Sequence, residues 1–128
     1  MREEVPSGAR VLIVDDDPMI RRLFVRALTR LGLAHVVVAT DEEARGAVTR
    51  EAFAMVLIDE HLGHAKGSEL VRDLRRLALG KPQWVCISGS VLAGDPPPDG
   101  FDGAEEKPTT FDAMGALVER WATPRRNS

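Results

Sequence analysis

RVLIVDDDP, residues 10–18, decides how this chain folds. Val11 to Val14 form a short, continuous apolar run of the kind buried on both faces of a parallel sheet. Pro18 suits the first turn of a helix, where its missing N–H costs nothing. The aspartates between them therefore close a strand at its carboxyl end, the edge of an open α/β sheet where ligands bind. Three adjacent carboxylates repel one another unless a cation intervenes, and hard oxygen clusters favour Mg2+ or Ca2+. The competing reading, a helix cap with acidic first-turn residues, suits Asp17.

Outward from that stretch the pattern repeats. Ile20, Leu23, Phe24, Ala27, Leu28 and Leu31 make a 3.6-residue stripe over 18–31, with Arg21, Arg22, Arg26 and Arg30 outside it and Gly32 as its stop. A second strand is expected over 35–39, then a short helix over 42–51 capped by Thr40 or Asp41. FAMVLI, residues 53–58, is a third buried strand running into Asp59. The segment EHLGHAKG reads as a loop before a helix over 67–79 with Leu70, Val71, Leu74 and Leu77 inward. A fourth strand over 83–87 ends at Ser88, and a very short fifth precedes Lys107-Pro108. The last helix, capped by Thr109 or Thr110, runs to about 122 with Phe111, Met114, Leu117, Val118 and Trp121 inward. Pro96, Pro97 and Pro98 forbid a long helix between the fourth and fifth strands. Strand–helix alternation through five units predicts a doubly wound α/β fold on a five-stranded parallel sheet. Residues 1–9 are expected to be a flexible leader, 10–123 one domain and 124–128 a loose tail.

Composition sets outer limits. The 128 residues carry 44% hydrophobic and 29% charged side chains and a net charge of −3. That balance is ordinary for a globular domain and gives no electrostatic reason to bind nucleic acid. No apolar run approaches the roughly 20 residues that span a bilayer, and the N-terminus lacks a signal-peptide core, so a cytoplasmic location is expected. Cys86 is the one cysteine and reads as a small buried hydrophobe.

The residues that close the strands are Asp15 and Asp16, Asp59, Ser88 and Lys107. A parallel sheet brings these ends to one edge, distant as they are in sequence. Asp16 and Asp59 can hold a divalent cation, with Asp15 beside them. Asp59, after a wholly apolar strand, suits a nucleophile, since carboxylates form aspartyl phosphates. A metal would offset the charge separating it from an incoming phosphoryl group, and Ser88 and Lys107 would hold the phosphoryl oxygens.

With these residues assembled, the chain resembles the receiver domains of two-component response regulators over essentially its whole length. The matching stretches are VDD at 14–16, DEHLGHAKG from Asp59 to Gly67, CISG at 86–89, GFDG at 100–103 and Lys107-Pro108. The resemblance implies strand order 2-1-3-4-5, a flavodoxin-like topology with the fourth helix shortened or absent. It implies that Asp59 accepts phosphate from a histidine kinase or histidine phosphotransfer protein. It also implies Mg2+, with Mn2+ as the substitute ion, at Asp15, Asp16, Asp59 and the backbone carbonyl of His61. By the same carry-over Ser88 and Lys107 read the phosphoryl state for a downstream protein, with no output domain attached and no nucleic acid or membrane as direct partner.

The departures fall mostly on the output face. Leu62-Gly63 replace the usual Met-Pro, a change expected to loosen the loop. Ala104 replaces the aromatic that swings when the hydroxyl residue moves. Glu105 and Glu106 stand where a buried strand should be apolar, so that strand is expected to be short, exposed or held open. The segment 90–100 is then the expected moving element.

Two other classes compete. A pseudo-receiver would keep the fold as an interaction module without switching. A haloacid-dehalogenase-type phosphatase also begins with a strand and D-x-D, here Asp15-Asp16-Asp17, but leaves Asp59 without a role. His61 and His64 lack the further ligands of a transition-metal site. The arginine face of the first helix is a solvated face or a partner contact, and Trp84 and Trp121 are expected to be core or half-core residues.

Overall fold

A computed structural model describes residues 10–63, 65–89 and 95–122. The expected leader and most of the expected tail, together with His64 and residues 90–94, lie outside the described residues. The elements run β1 Arg10–Val14, α1 Pro18–Leu31, β2 Ala34–Val38, α2 Asp41–Arg50, β3 Met55–Asp59, β4 His61–Leu62, β5 Ala65–Lys66, α3 Gly67–Leu77, β6 Gln83–Ser88, β7 Gly103–Glu106 and α4 Phe111–Ala122. The main sheet has the order β2-β1-β3-β6-β7 and every neighbour in it pairs parallel. With the small β4–β5 hairpin set aside, this is the predicted 2-1-3-4-5 order.

The central strands are buried as their apolar runs require. Val11 to Val14 and Met55 to Ile58 are all fully covered. Their alternate residues feed two cores. Leu12, Val14, Val56 and Ile58 face Ala44, Val48, Leu70 and Leu74 of α2 and α3. Val11, Ile13, Met55 and Leu57 face Phe24, Leu28, Met114 and Leu117 of α1 and α4. Burial of a large aliphatic side chain contributes about 1.5–3 kcal/mol, so this two-sided packing is what holds the site's floor rigid.

The ends of the helices are set locally. Asp17 caps α1 by accepting from Met19 N at 2.9 Å, and Gly32 closes it at φ 71. Thr40, not Asp41, caps α2: its Oγ1 accepts from Glu43 N, and Glu43 Oε1 accepts from Ala39 N, a reciprocal capping box. α3 ends at Leu77, two residues earlier than its periodicity predicts, and leaves Leu77 43% exposed instead of inward. The third strand starts at Met55, later than the apolar run, although Phe53 is buried beside it.

Among the described residues no helix lies between β6 and β7, as the proline run predicts. Phe101 covers that side of the sheet instead, packed into the α2–α3 core. Its segment is held by Trp84 N donating to Asp102 Oδ2 at 2.8 Å and by Arg75, which donates to the Gly100 carbonyl and lies over the Trp84 ring.

β7 is short, as expected, but it is neither held open nor left with unpaired acids. It pairs in register with β6, Ile87 opposite Glu105. The Glu105 carboxylate accepts from Trp121 Nε1 at 2.7 Å and from Arg120 at 2.9 Å. These partners come from α4 and offset the desolvation that the acid alone would suffer. The Trp121 ring lies on the β7 backbone where any side chain at 103 would meet it, so Gly103 permits the close approach. Glu106 points outward and is exposed.

Candidate functional site

The carboxyl ends of β1, β3, β6 and β7 meet at one edge of the sheet. Asp15 and Asp59 are buried there at 0% and 4% exposure, Ser88 at 1%, while Asp16 is exposed. Carboxylate oxygens of Asp15, Asp16 and Asp59 all lie within 4.8 Å of one another. No histidine or cysteine joins this group among the described residues, so His61 gives no transition-metal site; its side chain is exposed.

Each carboxylate is anchored differently. Asp59 Oδ1 accepts from His61 N at 3.1 Å, and its Oδ2 accepts from Lys107 Nζ at 3.0 Å. Asp15 Oδ1 accepts from Asp17 N at 2.8 Å. Its Oδ2 lies 3.3 Å from Lys107 Nζ, near enough for ion pairing but not aimed as a hydrogen bond, and makes none. Asp16 Oδ2 accepts from Gly63 N at 2.8 Å. Asp17 stays out of the cluster, its side chain committed to the helix cap. That removes the second acid of the D-x-D reading and with it the structural basis for a haloacid-dehalogenase site.

Backbone contacts hold the frame. Lys107 N donates to the Ser88 carbonyl at 2.9 Å, fixing the two residues side by side, and Arg21 donates to the Asp15 carbonyl at 3.0 Å. Gly67 N donates to the Glu60 carbonyl at 2.8 Å, and a Cβ at 67 would lie 2.7 Å from the Asp59 carbonyl oxygen. The chain therefore returns against the backbone of Asp59, which only glycine allows.

Electrostatics follow from the burial. The Asp15 carboxyl is pushed above its usual range by burial first, with the Asp59 charge adding and the Asp17 N–H and Lys107 opposing. Burial pulls the Lys107 ammonium down, but the hydrogen bond to Asp59 and the Asp15 charge outweigh it and hold it above its ordinary value. One ammonium thus faces three carboxylates. A set of hard oxygens that includes a buried acceptor without a hydrogen bond fits a small divalent cation.

Ala104 is half-buried against the core beside Cys86 and fills only a methyl's worth of the expected aromatic position. Two contributors escape a sequence reading. The Gly63 N–H shows no side-chain signal at all, and the hairpin that aims it has strands of two residues, too short for any periodicity.

The family model described as response regulator receiver domain matches residues 11–92. The transcriptional regulatory protein TcrA of Mycobacterium tuberculosis is 36% identical over 127 residues, 93% of this chain and 49% of that protein. The sensor histidine kinase RcsC of Salmonella typhi is 30% identical over 115 residues, 88% of this chain and 12% of the kinase. The chain thus spans half or less of the length of these relatives. Among solved structures, a CheY-like receiver domain from Methylobacillus flagellatus superposes with a TM-score of 0.73 at 27% identity, covering 88% of this chain and 97% of that one. The receiver domain of the sensor histidine kinase PA1611 from Pseudomonas aeruginosa, solved with magnesium ion coordinated in its active site cleft, has the same fold. Its TM-score is 0.70 at 22% identity, over 91% of this chain and 98% of that one.

Proposed function

Because the chain belongs to the response regulator receiver domain family of two-component signalling, we propose that it is a phosphorylation switch or relay in which Asp59 accepts the phosphoryl group. The observation that carries this reading is the 3.0 Å contact of Lys107 Nζ with Asp59 Oδ2, at the end of a wholly buried strand. The donor is the phosphohistidine of a histidine kinase or histidine phosphotransfer protein. Transfer breaks its N–P bond, forms an O–P bond to an Asp59 carboxylate oxygen, and releases neutral histidine after proton uptake. It is a signalling step of the domain on itself, not turnover of an external substrate.

Asp15, Asp16 and Asp59, with the His61 carbonyl, are the groups to hold Mg2+, which supplies positive charge between the nucleophile and the incoming phosphoryl oxygens. The magnesium in the PA1611 cleft supports that choice, and the all-oxygen set gives no reason to prefer Mn2+. Lys107 passes from the carboxylate to a phosphoryl oxygen, and the buried Ser88 hydroxyl binds another. The phosphoryl adds about two negative charges, and each charge-assisted hydrogen bond contributes about 1.5–3 kcal/mol. Two such bonds approach the roughly 5.5 kcal/mol that converts a two-state element almost fully. With Ala104 in place of an aromatic, the readout runs through Lys107 and Ser88 to β7 and the segment after β6.

The test is the chemistry of the linkage. After incubation with acetyl phosphate and Mg2+, hydroxylamine should release the label and leave a hydroxamate at Asp59. Label that resists hydroxylamine, or a hydroxamate elsewhere, contradicts the assignment. No specific observation favours the non-switching interaction module.

A further inference from the structure

The exchange of Met-Pro for Leu62-Gly63 does more than relax a loop. Leu62 is buried and fills its place in the core as a methionine would. Gly63 does two things a proline cannot. Its φ is +58, far from the value near −65 to which proline is locked, and its N–H donates to Asp16 Oδ2 at 2.8 Å. A Cβ at this position would lie 3.9 Å from that oxygen, so space is not the constraint; the donor and the left-handed turn are.

Asp16 is the exposed member of the acidic cluster. An exposed carboxylate samples several rotamers unless something holds it, and ordering it costs free energy when a cation binds. The Gly63 N–H takes one site on Oδ2 and leaves Oδ1 unoccupied by that contact. The frame behind the donor is firm. Leu62 pairs with Ala65 and His61 with Lys66 in the hairpin, and Gly67 N closes its base on the Glu60 carbonyl. The same loop anchors a second carboxylate, since His61 N donates to Asp59 Oδ1. Alternate N–H groups of one hairpin thus orient acids from two different strands.

We propose that Gly63 is a positioning residue for the cation site: its N–H orients Asp16 and couples the order of the hairpin to occupancy of the acidic cluster. This rests on the reading above that the cluster takes Mg2+.

The experiment is a titration of the unphosphorylated chain with MgCl2, followed by amide chemical shifts, for the native protein, Gly63→Pro and Gly63→Asn. Outer partners of metal ligands are typically worth about 10- to 100-fold in affinity, and Gly63→Pro should lose about 10-fold. Gly63→Asn, which keeps the N–H and tolerates a left-handed φ, should stay close to native. Native affinity in the proline variant, or equal losses in both, overturns the proposal. A second arm does not depend on the proline variant folding. Asp16→Ala should speed deuterium exchange at the Gly63 amide while leaving β3 amides unchanged, and an unchanged Gly63 rate overturns the proposal as well. Absence of Mg2+ binding by the native chain sinks the functional reading itself, which is a different result from native binding with an indifferent Gly63→Pro.

Discussion

Lys107 Nζ lies 3.0 Å from Asp59 Oδ2, joining the last strand of the sheet to its centre across 48 residues of sequence. The same ammonium is 3.3 Å from Asp15 Oδ2. One cation shared among buried acids holds the site together without neutralising it, and the consequences can be measured.

Asp15 should be a stability liability at neutral pH. Its folded pKa lies above the unfolded value of 3.8, chiefly through burial. The folded chain therefore binds that proton more readily, so the group's contribution is most favourable below pH 3.8 and is lost as pH rises through the raised folded value. Asp15→Asn keeps an acceptor for Asp17 N and removes the charge. In EDTA at pH 7 it should stabilise the protein by on the order of 1 kcal/mol, since neutral replacement of a buried charge is commonly favourable. The gain should vanish in urea melts near pH 3.5; equal gains at both pH values would contradict the burial argument.

Mg2+ should stabilise the fold through the same cluster. A ligand at about ten times its Kd contributes about 1.4 kcal/mol. Thermal melts should therefore shift upward with MgCl2 and return with EDTA. Asp16→Ala should abolish the shift, while MgCl2 should leave the melts of that variant superimposable.

The contact of Trp121 with Gly103 should behave as a tight fit. Gly103→Ala places a methyl against the ring and should cost about 2 kcal/mol by overpacking. Trp121→Leu gives up the bond to Glu105, and in the double variant the two costs should fall short of their sum. Strict additivity in chemical denaturation would mean that the two residues do not press on one another.

Cys86 should be inert in the native state. It is fully covered, and burial, with Glu60 and Asp59 nearby, pushes its thiol up to about 12. A disulfide reagent at pH 8 should label it only at the rate of global or local opening, and should react at once in denaturant. Prompt labelling of the folded chain would place Cys86 nearer the surface.

Much of this was legible in the residues. The runs Val11–Val14 and Met55–Ile58 are apolar on both faces, which only a covered parallel sheet accommodates, and that placement brings Asp15, Asp59, Ser88 and Lys107 together. What stayed hidden depends on partners remote in sequence or on backbone alone. Glu105 looks misplaced until Arg120 and Trp121, fifteen and sixteen residues on, supply its hydrogen bonds. Phe101 gives no sign that it stands in for a helix. Gly63 orients Asp16 through an N–H that every residue but proline carries, so nothing in its type marks it.

The most direct test of the central claim is the intact mass of the chain after incubation with acetyl phosphate, with and without Mg2+, beside an Asp59→Asn control. The account predicts a gain of one phosphoryl group that requires Mg2+ and is absent from the control. An unchanged mass under every condition, or the same gain in Asp59→Asn, would contradict it.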